Sequence, residues 1–334
     1  MPEMTHWERI EAAVSGAALD HPPVSLWMHF PDRDQTAADL AAVTLDWQAR
    51  FAFDFLKLMP PGDYMTIDWG AESIYRGNPN GTRDTVRFPV NSVEDWRRIT
   101  PVPADRGMIA QVVEAAGLVH DRIGDSVPLL QTIFSPLTTA MKLSNGRVID
   151  HLRERPDIVH EALRVITGVT REVVAASLHS GASGIFFATQ CARHDLLSSG
   201  EFQEFGARYD LPVIEAAEGS RFTLLHIHGF EIMFDELSRY PVHALNWHDR
   251  RASPSLTEGR AASGKCVAGG IDDQAIVISS ATEAAGQAKD ALTATGGWRV
   301  MLAPGCVIPV ATPLENIAAI VQTTRAFRPD PDTD

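Results

Sequence analysis

Short apolar runs alternate with longer amphipathic segments along most of the chain. Most short runs are bounded by Gly, Pro, Asp or Asn, which is typical of buried parallel strands. The clearest helical segment is 156–179, where Ile158, Val169 and Val173 recur at the spacing of one helix face. The predicted strands are residues 24–28, 53–59, 127–134, 184–188, 222–227, 244–247, 266–268 and 298–302.

Eight predicted strands, most of them followed by a helix, are the number that closes a (β/α)8 TIM barrel. Thr5 and Glu8 form a capping box, which predicts an N-terminal helix before the first strand. Residues 62–103 interrupt the alternation after the second strand, and we predict a loop or hairpin insertion over the barrel mouth. We therefore expect an α/β protein with one barrel domain over residues 1–334 and a frayed tail at 328–334.

Composition narrows the classes of function. Asp and Glu total 43 against 29 Lys and Arg, so the net charge is −14, which argues against a nucleic-acid or anionic-membrane partner. No apolar run reaches the length of a membrane span, and we predict a cytoplasmic protein. The three cysteines, Cys191, Cys266 and Cys306, lie far apart, which disfavours a disulfide framework and permits a free thiol with a chemical role.

Two histidines and a distant cysteine form the most informative pattern. His226 and His228 are two positions apart in a predicted strand, so both side chains face the same side. Cys306 follows the last predicted strand. If both strands belong to one barrel, the three side chains meet at its rim as the ligands of a catalytic zinc ion with an open fourth position. The same residues are compatible with a hydrogen-bonded histidine pair and an ordinary buried thiol.

Polar and aromatic side chains at the carboxyl ends of the strands are the other candidates, because active sites of such barrels lie there. We predict that His248 takes part in catalysis. Structural roles remain open for three of the other candidates: Trp247 fits a place in the core, Asp272 a helix cap, and Lys57 an ion pair with Asp54 or Asp63. The predicted substrate-binding residues are Trp27, His29, Lys57, Gln131, Gln190, Asn246, Trp247 and Asp272.

Seven segments carry a resemblance to a known family. From near its first helix to its last, the chain resembles the uroporphyrinogen decarboxylase superfamily, which implies a TIM barrel. That superfamily contains cofactor-free decarboxylases of a tetrapyrrole and zinc-dependent methyltransferases that use corrinoid proteins. The segments are 7–13 (WERIEAA), 20–27 (DHPPVSLW), 134–138 (FSPLT), 181–187 (GASGIFF), 225–229 (LHIHG), 269–272 (GGID) and 305–316 (GCVIPVATPLEN).

The residue pattern of the decarboxylase branch is missing. Those enzymes have an arginine-rich N-terminal segment, an aspartate after the second strand, a tyrosine after the third and a histidine near the C-terminus. Directly after Trp27, residues 28–33 contain a single arginine, Arg33, and where the aspartate would follow the second strand, residues 58–61 read LMPP. Directly after Pro136, where the tyrosine is expected, residues 137–142 read LTTAMK, and Cys306 occupies the place of the histidine.

The methyltransferase pattern is nearly complete. Its signature is His-x-Cys at the fifth strand and a cysteine near the C-terminus, and His228 stands in place of the middle cysteine. The imidazole of His228 can bind zinc as the cysteine would. The set of two histidines and one cysteine carries one less negative charge than one histidine and two cysteines, so a thiolate bound to the zinc would be a poorer nucleophile. The resemblance implies Zn²⁺ held by His226, His228 and Cys306, a corrinoid on a partner protein, and a small thiol or methoxylated substrate.

Two other functions stay open. A metal-free decarboxylase of a uroporphyrinogen-like or smaller carboxylic acid would use His226 or His248 as general acid. The barrel is also compatible with a non-catalytic binding module. Activity after chelation separates the decarboxylase from the methyltransferase, because the decarboxylase needs neither metal nor partner protein.

Overall fold

The structure is a computed structural model and describes residues 3–329. Of the predicted tail, residues 330–334 lie outside the described residues. The helices of the described part are α1 (His6–Ser15), α2 (Ala37–Phe51), α3 (Tyr64–Ile67), α4 (Gly107–Ile123), α5 (Pro136–Leu143), α6 (Val148–Glu154), α7 (Pro156–His179), α8 (Ser199–Phe202), α9 (Arg208–Glu215), α10 (Phe234–Leu237), α11 (Leu256–Ser263), α12 (Ala281–Thr295) and α13 (Leu314–Ala326). None of them is long and apolar enough to cross a membrane.

The strands of the described part form two sheets. Seven of them make one parallel sheet in the order β1-β4-β5-β6-β7-β8-β9, and β2 pairs antiparallel with β3. The bounds are β1 (Leu56–Lys57), β2 (Glu72–Ile74), β3 (Asp84–Arg87), β4 (Leu129–Phe134), β5 (Gly184–Thr189), β6 (Leu224–Ile227), β7 (Ala244–Trp247), β8 (Cys266–Ile271) and β9 (Val300–Pro304).

The chain near Val24 connects the two edges of the parallel sheet. Val24 forms a parallel bridge with Leu302 of β9, and its carbonyl oxygen accepts a hydrogen bond from the Asp54 amide, just before β1, at 2.9 Å. The sheet is therefore curled into a TIM-barrel-like fold. The predicted strand at 24–28 is reduced to this bridge, at which the Leu302 amide donates to the Pro23 carbonyl at 2.7 Å and the Ser25 amide donates to the Leu302 carbonyl at 3.1 Å. Pro22 and Pro23 have no N–H and therefore prevent extension of the ladder on the N-terminal side.

Local sequence explains how the main helices begin and which face they bury. At α1 the Thr5 hydroxyl accepts from the Glu8 amide at 3.2 Å, and the Glu8 carboxylate accepts from the Thr5 amide at 2.7 Å, as the capping box predicts. In α7 the apolar face containing Ile158, Val169 and Val173 is buried. Helix α7 packs against β4, and the central strands of the sheet are buried along their whole length.

A network of ion pairs, the amino-end clamp of Arg9, Asp20 and Asp54, holds α1 at the amino ends of the strands. Arg9 donates to both oxygens of Asp20, at 2.9 and 2.7 Å, and to Asp54 at 2.6 Å. The second oxygen of Asp54 accepts from the Val24 amide at 2.9 Å. Burial raises the pKa of Asp54, but these partners and His6 outweigh it and lower the pKa below its usual value. A cavity of about 1180 Å³ lies beside the clamp.

Residues 62–103, the predicted insertion, contain α3, the β2–β3 pair and a 3-10 helix at Val93–Arg98. The turn between β2 and β3 approaches the carboxyl ends of the barrel strands. Gly81 in that turn has a φ of +75°, and a Cβ there would stand 2.6 Å from the His29 side chain. Glycine is therefore required both by the backbone conformation and by the close approach.

Candidate metal centre and its cavity

A cavity of about 470 Å³ opens at the carboxyl ends of the strands. Its wall combines residues that follow strands with residues of the β2–β3 turn, which contributes Asn80 and Thr82. Polar and charged side chains from several strands therefore face one enclosed space. The ionisable lining residues are His29, Lys57, Lys142, His226, His228, His248, Arg251, Asp273 and Cys306.

Four side chains on one part of the wall form the four-donor cluster: His226, His228, His248 and Cys306. One potential ligand atom of each lies within 4.8 Å of the other three. His228 Nδ1 is 3.2 Å from His248 Nε2 and 3.6 Å from Cys306 Sγ. The cluster forms because β6 and β7 are neighbours and because Cys306 follows β9 at the same end of the sheet.

Asn246 fixes the orientation and the tautomer of His226. The register pairs the two residues on neighbouring strands, and Asn246 Oδ1 lies 2.6 Å from His226 Nδ1. The Asn246 amide nitrogen donates to the carbonyl oxygens of Ala268 and Pro304, at 2.8 and 3.0 Å, so its oxygen must face the ring. A carbonyl oxygen only accepts, and Nδ1 of His226 therefore carries the proton and Nε2 the free lone pair.

Asp273 holds His248 in a similar way. Its Oδ1 lies 3.1 Å from His248 Nδ1. Gly305 permits this packing, because a Cβ there would stand 2.9 Å from the His248 Cα and 3.0 Å from the Asp273 carboxylate. Burial lowers the pKa of His248, but Asp273 and the Cys306 thiol outweigh it and raise the pKa to about 9.

The histidines favour the thiolate form of Cys306. Burial raises the pKa of this thiol, but its electrostatic interaction with His226 and its hydrogen bonds with His226, His228 and His248 lower it well below its usual range. Burial lowers the pKa of His226, which keeps that ring neutral. A thiolate and a neutral imidazole are the protonation states that metal ligands require.

The donor set meets the requirements of a divalent metal ion. Ligand atoms of a tetrahedral zinc site stand about 3.5 Å apart, as follows from Zn–N and Zn–S distances near 2.1 and 2.3 Å. The 3.2 and 3.6 Å separations around His228 are close to this value, and the outer limit of 4.8 Å requires only a small contraction. Asn246 and Asp273 supply the outer hydrogen bonds that orient metal-ligating histidines in proteins.

Three of the predicted substrate-binding residues, His29, Lys57 and Gln190, line the cavity. The Lys57 Nζ lies 3.9 Å from the centre of the Phe186 ring and 5.4 Å from that of Trp27. Among the described residues Lys57 has no ion pair with Asp54, which is paired with Arg9, or with Asp63. Trp27 itself is 2% exposed and packs edge-on against Phe186 in the barrel interior.

The other four predicted substrate-binding residues do not line the cavity. Asn246 acts on His226, and the Trp247 indole donates to the Pro254 carbonyl at 2.8 Å. Asp272 accepts the Gln274 and Ala275 amides at 2.9 and 3.0 Å and so caps the 3-10 turn at Ala275–Val277. Gln131 is completely buried, and its side-chain nitrogen donates to the Thr132 carbonyl at 3.3 Å.

Sequence reasoning did not assign site roles to several cavity residues. Asp273 follows β8, so the strand-end rule pointed to it, but a helix cap explained it equally well. Lys142 lies in α5 rather than at a strand end, and Phe230 and Arg251 lie in loops. For these three the sequence contains no periodic signal, because their approach to the cavity depends on how α5 and the loops pack.

The fold and the cluster define a TIM-barrel-like α/β protein with a candidate metal centre at the carboxyl ends of its strands. The profile of the uroporphyrinogen decarboxylase (URO-D) family matches residues 5–327. The chain therefore belongs to the URO-D family, which confirms the resemblance of its seven segments.

Named relatives fall in both branches. Methylcobamide:CoM methyltransferase MtaA of Methanosarcina barkeri is 30% identical over 236 residues, 66% of this chain and 65% of that protein. The chain thus spans just under two thirds of this relative's length. A uroporphyrinogen decarboxylase of Azoarcus sp. (strain BH72) is 26% identical over 301 residues, 84% of this chain and 80% of that protein. A solved methyltransferase from Methanosarcina mazei has a TM-score of 0.82 at 22% identity, covering 96% of this chain and 98% of that one, which shows the shared fold.

Proposed function

We propose that the chain is a zinc-dependent methyltransferase that moves a methyl group between a corrinoid carried on a partner protein and a small thiol or methoxylated substrate. The observation that supports this most directly is the four-donor cluster, whose ligand atoms all lie within 4.8 Å of one another beside the cavity. The relative MtaA is named for methyl transfer from methylcobamide to CoM. The decarboxylase relative shares more of the chain, but the residue pattern of its branch is missing at the site.

Zinc would be held by His226 Nε2, His228 Nδ1 and Cys306 Sγ. When bound, the ion supplies an open coordination position that takes the substrate heteroatom and lowers its pKa. Asn246 keeps the lone pair of His226 available. His248 and Asp273 form a hydrogen-bonded pair beside the ligands, and the imidazole, with its pKa of about 9, holds a proton at neutral pH. We place His248 outside the set of zinc ligands, because four protein ligands would close the site. With a methoxylated substrate, we assign it the role of proton donor to the ether oxygen as the methyl–oxygen bond breaks and the methyl group passes to the corrinoid.

Exposed apolar side chains at the carboxyl ends of the strands support a protein partner. Phe230, in the loop after β6, lines the cavity and is 51% exposed, and Ile278, in the segment after β8, is 87% exposed. Both segments leave the carboxyl ends of strands, which is the end where the cavity opens. We infer that the corrinoid-bearing protein docks over this rim.

Metal analysis tests the proposal. Protein purified without added metal is expected to contain about one zinc ion per chain, and His226→Ala is expected to lose it. His194→Ala is the matched control, because His194 is an exposed histidine outside the cluster. His248→Gln separates a ligand from a proton donor: it should retain zinc and lose activity. Absence of stoichiometric zinc from the unaltered protein would remove this mechanism.

A metal-free decarboxylase is the second candidate. The observation in its favour is the proton held on His248, which borders a cavity and could protonate a carbanion after loss of CO2. This function needs no metal and no partner. Turnover of a carboxylic acid that survives exhaustive chelation, with CO2 as product, would establish it in place of methyl transfer.

A further inference from the structure

Two lysines face the cavity from the part of the wall formed by β1 and α5. The chain has only four lysines, against 25 arginines, and two of the four, Lys57 and Lys142, line this space. Lys57 is the last residue of β1, and Lys142 lies in the helix that follows β4. Since β1 and β4 are neighbours in the sheet, both lysines come from the same side of the barrel.

The surroundings of both ammonium groups are aromatic rather than acidic. Lys57 Nζ lies over the Phe186 ring, and Lys142 Nζ is 4.7 Å from the centre of the Phe134 ring. Among the described residues neither lysine forms a hydrogen bond or an ion pair with a carboxylate. Ring faces attract a cation but do not replace the hydrogen bonds that it loses with water. Each lysine is therefore an unpaired donor at the cavity wall.

The positive charge of the two lysines is only partly compensated. Burial lowers the pKa of Lys57 to about 7, and the Cys306 thiolate offsets this only in part. Burial also lowers the pKa of Lys142, which Asp63 raises only in part. Burial and both lysines lower the pKa of His29, a third lining residue, to about 3. Three basic groups thus face one small space in a protein whose net charge is −14.

A buried polar atom of the cavity wall also lacks a partner. His29 Nδ1 has no hydrogen-bond partner in the described part of the chain. The His29 residue is more than nine-tenths buried, with 7% of its surface exposed. Buried polar groups in folded proteins are usually satisfied, so an unsatisfied ring nitrogen on the same wall as two unpaired ammonium groups indicates a polar ligand rather than an apolar one.

We propose that Lys57 and Lys142 bind the carboxylate of the small-molecule substrate, which is therefore a small carboxylic acid. The inference rests on the proposed function in one respect: the acid's thiol or methoxy group would lie at the four-donor cluster. Lysine suits this subsite because its ammonium group is a compact point charge with three rotatable N–H donors that can reach either carboxylate oxygen. The cavity, about 470 Å³, has the size of small-molecule sites in proteins.

Calorimetric titration of chelator-treated protein tests the subsite. Two matched pairs of probes differ only in charge: 4-methoxybenzoate with 4-methoxybenzamide, and 3-mercaptopropionate with 3-mercaptopropan-1-ol. In at least one pair the acid should bind at least about ten times more tightly than its uncharged partner. The pair that shows this preference indicates whether the substrate is an aryl ether or a thiol. The Lys57→Met/Lys142→Met double variant should bind acid and partner equally well.

The control is Lys289→Met, an exposed lysine of α12, which should keep the preference for the acid. The ligand-free double variant should unfold at the same temperature as the unaltered protein or higher, because it loses two unpaired buried cations. Equal binding within both pairs, or a preference that survives in the folded double variant, overturns the proposal. Since metal is removed throughout, a protein without native zinc would contradict methyl transfer but leave this result standing.

Discussion

At the amino ends of the strands, the amino-end clamp pairs each of its charged groups with a partner. At the carboxyl ends, Lys57 and Lys142 face a cavity without a partner, and the four-donor cluster directs its nitrogen and sulfur atoms toward one another. The amino end has the larger cavity, about 1180 against 470 Å³. Cavity size therefore does not identify the functional end of this barrel. The functional end is identified by side chains that lack hydrogen-bond partners and by donor atoms that are free to bind a ligand.

Removing the charge of Arg9 should have the largest effect, and the effect should be on stability. Arg9→Met leaves Asp20 and the buried Asp54 without their cation, and breaking a buried ion pair in this way costs about 3–5 kcal/mol. Urea unfolding should show this loss, while the folded fraction keeps its zinc. A variant that stays as stable as the parent would contradict the structural role of the clamp.

The partly exposed thiol of Cys306 and the buried thiol of Cys266 give the complementary test. Cys306→Ala should lower methyl transfer by more than about 100-fold and change the free energy of unfolding of the metal-free protein by less than about 1 kcal/mol. Cys266, inside β8, is completely buried, and burial raises its pKa to about 12. Cys266→Ala should therefore show the reverse pattern, with activity kept and stability reduced by about 1 kcal/mol or more. If Cys306→Ala and Cys266→Ala had similar effects on activity and on stability, the functional distinction between the two ends of the barrel would be lost.

Asn246→Ala probes the outer hydrogen bond of the cluster. The substitution frees His226 to rotate and to adopt the other tautomer, and zinc affinity should fall by about 10–100-fold. Competition with a chromophoric chelator measures this affinity. If affinity is unchanged, His226 is held by packing alone, and the carboxyl end depends less on hydrogen bonding than we infer.

The acid dependence of stability should be the smallest effect. Partners of Asp20 and Asp54, Arg9 among them, outweigh burial and lower the pKa of each carboxyl, so the folded state binds fewer protons than the unfolded state. This stabilisation is complete above about pH 4, the unfolded value, and is lost as pH falls toward the lowered folded values. Stability measured between pH 5 and 2 should therefore fall less steeply in Arg9→Met than in the parent. An unchanged slope would mean that Arg9 does not set these pKa values.

Much of the fold and part of the site could be predicted, because both follow from local periodicity. Seven predicted strands contain or overlap the seven strands of the parallel sheet. The spacing of His226 and His228 and the position of Cys306 after β9 indicated a shared site because strand ends meet at one edge. The strand predicted at 24–28 shrinks to a bridge, since pairing depends on neighbours that the sequence does not reveal.

The remaining site residues depend on tertiary packing. Lys142 reaches the cavity from inside a helix, and Trp247 extends toward Pro254 although it ends a strand. His248 was predicted to be catalytic, but its place within ligand distance of the other three donors depends on sheet register. These outcomes are set by how helices pack and by which face of each strand turns inward, and one sequence records neither directly.

The side-chain amide of Asn246 couples the four-donor cluster to the last strand of the sheet. Its two N–H donors bond to carbonyl oxygens of β8 and β9, so the orientation that protonates His226 at Nδ1 exists only while the last strand is in place. Local opening of β9 would release the amide, the ring and Cys306 together. Amide hydrogen exchange in β9 and dissociation of the metal should therefore occur with the same opening free energy, as one cooperative unit.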